Sequence, residues 1–421
     1  MEVKDRDLLW SEYAADLPEF DSDMTMAPTL SPTRRGSSSS VPTCFTQGFR
    51  PFFLATALWS VAALALWIGM LAMGAALPSR FDPLSWHIHE MLFGFGMAAA
   101  AGFLLTAVPN WTKRLPVAGA PLAMLVGLWL LGRLVCATSA LMPAWLAIVF
   151  DLAFPLVLIG VIAREIIAGK NWHNLPMTAP LLVLTAANLA MHLEAIGVDV
   201  PAGLGWRLGL AAMITLMSVV GGRIIPSFTR NWLAKRGSDL TAQNSWLTRA
   251  AMATLHMGLL GWAFLPDSPL FGGLLVLGGA LNLWRLWSWR GVATIAEPLL
   301  LILHVGYAWL AAGAMLLGLA VLGSVPLPAA IHALTAGAMG TMILAVMTRV
   351  ARGHSGRDLS ADRVTIAIYL LVTFAALFRV AAAFVMPGPG PLLYASAGLW
   401  IAAFALFAIA YGRMLLFKRG R

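Results

Sequence analysis

The stretch that decides the fold is residues 86–109, WHIHEMLFGFGMAAAAGFLLTAVP. It carries a single carboxylate, Glu90, in an apolar run long enough for a helix of roughly 20 residues to cross about 30 Å of hydrocarbon. The whole chain has the same character, because 60% of its residues are hydrophobic and only 11% are charged. Soluble domains carry about a quarter charged residues. The sequence therefore predicts a membrane protein.

Similar apolar segments recur to the C-terminus, separated by gaps where Pro, Gly and charge coincide. We predict an all-α polytopic membrane protein with about twelve transmembrane helices, forming a single domain over residues 46–421. Residues 1–45 are polar, include the run RRGSSSS, and are expected to be a disordered cytoplasmic tail. The predicted spans are 52–77, 86–109, 118–138, 143–165, 177–197, 203–226, 246–265, 269–288, 296–321, 328–350, 363–386 and 391–416.

The distribution of basic residues orients these spans. Lys and Arg concentrate in alternate gaps, whereas gaps such as ATSALMP and GSVPLP hold almost none. Because cytoplasmic loops carry the excess of Lys and Arg, both termini are predicted to be cytoplasmic. An even number of spans requires the same arrangement. We therefore expect a multi-pass protein of the cytoplasmic membrane, with the lipid bilayer as its principal partner.

A weak internal repeat has a period of four spans. Spans 2, 6 and 10 end in AVPNWTKR, IIPSFTRN and AVMTRVAR, each an apolar end followed by Thr and a basic residue. One interpretation is that every cytoplasmic helix end needs a cation and a capping residue. The other is three pseudo-repeats of four helices, an arrangement that resembles haem–copper oxidase subunit I.

Several function classes are excluded by composition and motifs. The net charge of +9 lies in the gaps between spans, and no basic stripe with interleaved aromatics predicts nucleic-acid binding. Cys44 and Cys136 are far apart and form no CxxC, so we expect neither a disulfide framework nor a thiolate metal site. Any metal should then be held by His, Met or carboxylate. No P-loop, HExxH or GxSxG motif is present.

Histidines inside the apolar segments are the candidate ligands. Burying an ionisable side chain in hydrocarbon costs at least several kcal/mol, so each is a site hypothesis. His173 and His354 fall in loops and are expected to be ordinary solvated residues. The histidines in spans or at their ends, all candidate metal ligands, are His87, His89, His192, His256, His304 and His332.

The motif WHIHEMLFGF places two histidines on one helix. At 100° per residue, His87 and His89 are about 200° apart and point to opposite sides, so they suit two sites rather than one chelate. Gly and Ala follow along these faces and along the face below His332 on span 10. Such small residues leave room for a flat macrocycle with axial imidazole ligands. Alternatively, they mark close packing of membrane helices.

Charged residues in the spans supply further candidates. Arg379 has no obvious partner in the sequence and is the better candidate to neutralise a haem propionate. Arg133 is a second candidate, although a structural pair with Asp151 explains it equally well. Glu90 adjoins the histidines and is either an acceptor for an imidazole N–H or a catalytic proton-transfer group.

Four segments together resemble the sequence blocks of the NnrS family. They are GFRPFF, WHIHEMLFGFGMAAAAGFLLTAVPNWT, GGRIIPSFTRN and HALTAGAMGTMILAVMTRVARGHSGR, and the resemblance runs from about residue 47 to the C-terminus. The resemblance implies an integral membrane protein of the bacterial inner membrane with haem b, and with copper as a further cofactor. It also implies a role in nitric oxide metabolism or resistance to nitrosative stress.

Ligand roles carry over to the histidines within these blocks, His87, His89 and His332. We expect nitric oxide to be bound or reduced near the periplasmic face, with a redox enzyme as one form of this function. The alternatives are a transporter of metal or a small molecule, and a non-catalytic nitric oxide sensor or assembly factor. An electron donor or protein partner is not identified by the sequence.

Overall fold

Twelve long helices make up most of the chain in a computed structural model that describes residues 41–240, 244–385 and 388–418. The expected all-α polytopic fold is confirmed. The helices are α1 (Phe49–Met73), α2 (Pro83–Thr112), α3 (Ala120–Thr138), α4 (Ala144–Ala168), α5 (Ala179–Ala195), α6 (Leu204–Ala234), α7 (Ser245–Phe264), α8 (Pro269–Ser288), α9 (Pro298–Val321), α10 (Leu327–His354), α11 (Arg363–Val385) and α12 (Pro391–Leu416).

Eleven of these helices in the described chain are long and apolar enough to cross a membrane. The exception is α7, which was predicted as a span. It includes Arg249, Thr254 and His256, which lower its hydropathy although its 20 residues would suffice for a span. The chain is therefore a multi-pass membrane protein.

Local signals explain where the helices begin. Several start with Pro in the first turn, where its missing N–H is not needed. The side chain of Asp82 caps α2 by accepting hydrogen bonds from the backbone N–H of Leu84 and Ser85, at 2.9 and 3.1 Å. Burial raises the pKa of Asp82, but the hydrogen bonds from Ser85 and Leu84 outweigh that effect and hold the pKa below its ordinary value.

Three helices form the centre of the bundle. Helices α2, α6 and α10 contact one another, while α12 packs against α1 and closes the surrounding layer. Most of each central helix is buried, at 83%, 72% and 72% of its most apolar stretch, against 28% for α1 and 33% for α11 and α12. The three spans with the repeated ends are thus the three central helices. The interpretation as three repeats of four helices stays a prediction.

Two of the central helices contain a π-helical segment. In α2 it covers Glu90–Gly96 and begins directly after His89, and in α10 it covers Ala333–Met339 and begins directly after His332. A π-helical turn holds more residues than an α-helical turn, so it rotates the side chains that follow. Such segments are frequent at functional sites. We had treated both helices as regular, so the faces assigned to residues beyond the histidines were wrong.

The segment before α1 includes residues that we had assigned to the tail. Thr43–Phe45 forms a short 3-10 helix, and the carbonyl oxygen of Phe45 accepts a hydrogen bond of 2.8 Å from the N–H of Gly119. These residues are therefore attached to the start of α3. Residues 1–40 of the predicted tail lie outside the described residues.

Candidate metal centre

A group of buried polar side chains lies on the His89 side of α2. Helices α2, α3, α4 and α5 each contribute to it, and its members come within hydrogen-bonding distance of one another. Each member is at most 4% exposed. This buried polar cluster consists of His89, Glu90, Arg133, Cys136, Asp151, Asn188 and His192.

Arg133 forms ion pairs with both carboxylates of the cluster. Its Nη1 donates to Glu90 Oε2 at 2.8 Å, and its Nη2 donates to Asp151 Oδ1. Because all three groups are almost fully buried, these ion pairs offset a large desolvation cost. The Arg133–Asp151 pair that we had offered as an alternative to propionate binding is therefore present. The propionate role of Arg133 is untested.

His89 has an oxygen acceptor at each ring nitrogen. Nδ1 lies 3.1 Å from Glu90 Oε1, while Nε2 lies 2.9 Å from Asn188 Oδ1 and 3.2 Å from Asp151 Oδ2. The amide orientation of Asn188 follows from its Nδ2, which donates to Asp151 at 2.8 Å. A neutral imidazole has only one N–H. The second nitrogen therefore carries either an additional proton or a metal ion in its place.

Four potential ligand atoms converge in the cluster. His89, Cys136, Asp151 and His192 each offer one atom, and these atoms lie within 4.8 Å of one another. His192 Nε2 is 3.1 Å from Asp151 Oδ2. Our expectation of no thiolate ligand considered only two cysteines in one motif, and it did not consider Cys136 together with residues of other helices. Here a single cysteine lies beside possible ligands from other helices. Its position three residues after Arg133 places both side chains on one face of α3, and this spacing could have indicated that Cys136 lies near the charged residues.

The charges and donors of the cluster suit a transition-metal ion. Two carboxylates and Arg133 leave one net negative charge. A monovalent ion with a neutral Cys136, or a divalent ion with its thiolate, would make the cluster neutral with neutral histidines. Imidazole and thiolate ligands suit copper and zinc. Glu90 holds the far nitrogen of His89, as carboxylates commonly do behind a metal-bound imidazole.

His87 lies on the other side of α2, as its 200° separation from His89 predicted. Its ring stacks on Trp67 of α1, with centroids 4.9 Å apart, and its buried Nδ1 has no hydrogen-bond partner among the described residues. His332 Nδ1 donates to the carbonyl of Pro328 at 2.7 Å, which leaves Nε2 free as an acceptor.

Arg379 on α11 interacts electrostatically with both His87 and His332. Within the described ranges it forms no ion pair or hydrogen bond with a protein group. We call His87 and His332 the outer histidine pair, and Arg379 is the arginine beside it. The structure thus brings together three of the residues that we predicted for haem binding, and keeps His89 apart from them.

The small residues near the histidines do not leave open space. A Cβ at Gly94 would lie 2.6 Å from Trp59 Nε1, and one at Gly340 would lie 2.4 Å from the Trp400 ring. The glycines therefore allow close packing, which was the alternative to a macrocycle beneath each histidine.

His256 and His304 belong to neither group. His256 Nε2 is 2.8 Å from the Ser218 hydroxyl, and His304 hydrogen-bonds to Thr229 and to the carbonyl of Leu300 at 3.2 and 3.1 Å. Each ring therefore has a partner on α6, and His304 has a second one in the preceding turn of its own helix. Their roles as metal ligands are untested predictions.

The comparison with protein families agrees with this architecture. The model of the NnrS protein family matches residues 43–419, which covers all twelve helices and both histidine groups. No curated protein matches the chain. The chain belongs to the NnrS protein family.

Proposed function

We propose that this protein is a nitric-oxide-handling metalloprotein of the bacterial inner membrane that holds a metal ion in the buried polar cluster. The observation that carries the proposal is the convergence of His89, Cys136, Asp151 and His192, whose ligand atoms lie within 4.8 Å of one another. Buried ionisable groups inside a membrane protein mark functional sites by default.

Copper is the proposed metal of the cluster. Two imidazoles and one sulfur from Cys136 favour copper over hard cations, and the carboxylate of Asp151 supplies the fourth donor. Glu90 orients His89 through Nδ1, so its proposed role is to position the ligand. We do not include direct proton transfer by Glu90 in the proposal, because its carboxylate already forms an ion pair with Arg133.

Haem b is the proposed cofactor of the outer histidine pair. His87 and His332 would hold the haem through their imidazoles, and Arg379 would neutralise a propionate. The support is the unpartnered Nδ1 of His87, the free Nε2 of His332 and the unpaired Arg379. When bound, haem would supply the iron chemistry through which the protein would handle nitric oxide. The proposed orientation puts both chain termini in the cytoplasm and these histidines toward the periplasm.

Cofactor analysis of the purified full-length protein tests the assignment of the two groups. Metal content and haem content would be measured for the wild type, His192→Ala, Cys136→Ser, His87→Ala and His332→Ala, each with retained folding checked by gel filtration. We expect the first two variants to lose at least tenfold in metal affinity and retain haem, because protein ligands of the ion are removed. The other two should lose haem and retain the metal.

A control and a ligand titration complete this test. His354→Ala removes an exposed histidine and should leave both cofactors unchanged. Adding nitric oxide to the wild type should shift the absorption spectrum of the haem. A folded wild-type protein that binds neither haem nor metal would overturn the proposal. Loss of the same single cofactor from all four variants would overturn the division into two sites.

A further inference from the structure

A second buried cation lies among α6, α7, α8 and α9, far along the chain from the proposed metal ligands. Arg285 is only 4% exposed, and it lies on α8 beside Trp289, which is fully buried. The Arg285 Cζ is 5.0 Å from the centroid of the Trp289 ring. Gly222 permits this arrangement, because a Cβ there would lie 2.6 Å from Arg285 Nη2.

The protein groups around Arg285 satisfy only part of its guanidinium. Nη1 donates to the Tyr307 hydroxyl at 3.0 Å and to Met252 Sδ at 3.3 Å, and Nη2 donates to the Gly222 carbonyl at 3.2 Å. Arg285 Nε and Trp289 Nε1 are both buried and have no acceptor in the described part of the chain. Two neighbouring N–H donors therefore lack a partner.

The positive charge of Arg285 also lacks a counter-ion. Within residues 41–240, 244–385 and 388–418, no carboxylate lies within salt-bridge distance of it. The titratable side chains that interact with it electrostatically are His256 and Tyr307, and neither carries a negative charge at neutral pH. A bound water could accept the two hydrogen bonds but could not neutralise the charge. Intramembrane arginines without a partner are costly.

We propose that the Arg285 site, formed by Gly222, Met252, Arg285, Trp289 and Tyr307, binds a small monovalent anion. One negative charge balances the single guanidinium, and the anion accepts hydrogen bonds from Arg285 Nε and Trp289 Nε1. A divalent anion would leave an excess buried charge, which desolvation opposes. This proposal does not depend on the metal or haem assignments.

Thermal unfolding of the purified full-length protein tests the proposal. The reference buffer contains sodium gluconate, which is replaced stepwise by chloride or formate at constant ionic strength. We expect a saturable rise in the unfolding temperature of the wild type, because an anion that binds only the folded protein stabilises it. Sulfate, the divalent probe, should give no saturable rise. Chloride and formate distinguish a spherical from a planar anion.

Two variants locate the effect, and a third is the matched control. Trp289→Phe keeps an aromatic ring but removes the N–H, so the apparent Kd for the anion should rise about tenfold. Arg285→Gln should lose the response. Arg236→Gln also removes an arginine that stacks on a tryptophan, Trp232, but this arginine is exposed, so the wild-type response should remain.

The proposal is overturned if replacing gluconate by chloride or formate does not raise the unfolding temperature of the wild type. It is equally overturned if the response is unchanged in Trp289→Phe, a result that decides the matter even if Arg285→Gln does not fold. A response that sulfate reproduces would indicate general screening rather than a site. Metal and haem content of each variant should equal that of the wild type, which separates this test from that of the proposed function.

Discussion

The two faces of the HxH motif differ in how far the protein satisfies its own polar groups. On the His89 face, both ring nitrogens have partners, and Arg133 joins the carboxylates of Glu90 and Asp151. On the His87 face, one buried nitrogen has no acceptor, and Arg379 has no ion pair within the described segments. The first group should support the fold by itself. The second contains groups without a partner among the described residues.

Because of this difference, substitutions at the two faces should affect the stability of the cofactor-free protein differently. Removing one member of a buried ion pair leaves an uncompensated charge, which is strongly destabilising. Removing a side chain that has no hydrogen bond or ion pair removes no such interaction from the protein. Substitutions on the two faces should therefore differ in their effect on stability, even before cofactor binding is measured.

The largest effect is expected for Asp151→Asn. The amide keeps the shape of the carboxylate but removes its charge, so Arg133 keeps only Glu90 as a counter-ion. We expect the free energy of unfolding of the metal-free protein to fall by about 3 to 5 kcal/mol. Chemical unfolding in detergent, followed by circular dichroism, measures the change.

The control for Asp151→Asn is Glu165→Gln, which disrupts the ion pairs with the more exposed Arg114 and Arg164. The side chains of Arg114 and Arg164 are 44% and 69% exposed, so solvent screens these pairs. Such pairs contribute up to about 1 kcal/mol, so this variant should lose far less stability than Asp151→Asn. Equal losses in the two variants would show that the buried polar cluster does not stabilise the fold.

A smaller loss is expected for Gly94→Ala, which tests the packing beside the cluster. The added Cβ would lie 2.6 Å from Trp59 Nε1 and within 3 Å of Glu90 and Arg133 side-chain atoms. Overpacking of this kind costs about 1 to 3 kcal/mol. Thermal unfolding of the metal-free variant measures the loss.

Gly127→Ala on α3 is the matched control, because nothing lies within 4 Å of its Cβ position. Alanine there should be neutral or stabilise the helix by up to about 1 kcal/mol, since glycine is a poor helix former. If Gly94→Ala is as stable as Gly127→Ala, the Trp59, Glu90 and Arg133 side chains can move to accept a methyl group at position 94, and the prediction of overpacking is wrong.

Arg379→Gln should have a smaller effect on stability, because Arg379 has no hydrogen bond or ion pair to lose among the residues that the structure describes. We expect the free energy of unfolding of the cofactor-free protein to change by no more than about 0.5 kcal/mol. Haem retention after gel filtration should nevertheless fall several-fold. A loss of stability comparable to that of Asp151→Asn, with haem retained, would assign Arg379 to the fold rather than to a cofactor.

The contrast between the two faces also marks what the sequence could predict. Apolar runs predicted the helix ends to within four residues, except that α6 continues eight residues beyond its predicted span. The rotation of 100° per residue separated His87 from His89. The convergence of Cys136, Asp151 and His192 was not predictable by spacing, because they lie on three different helices. Which helical faces meet is decided by packing between helices, and the π-helical segments altered the register beyond each histidine.

The last prediction concerns the residue that caps the start of α2, the helix that carries both histidines. Asp82→Ala removes the acceptor for the N–H groups of Leu84 and Ser85 and should cost about 1 kcal/mol at neutral pH. Because the folded state holds the pKa of Asp82 below its ordinary value, this contribution is present above that value and is lost as the pH falls through the folded pKa.

Thermal unfolding of the wild type and the variants at pH 7 and at successively lower pH measures this dependence. The difference in unfolding temperature between the wild type and Asp82→Ala should shrink as the pH falls. Asp82→Asn keeps an uncharged cap, so its own stability should lack this component of the pH dependence. A difference between the wild type and Asp82→Ala that stays constant down to pH values where carboxylates are protonated would show that the charge of Asp82 does not stabilise α2.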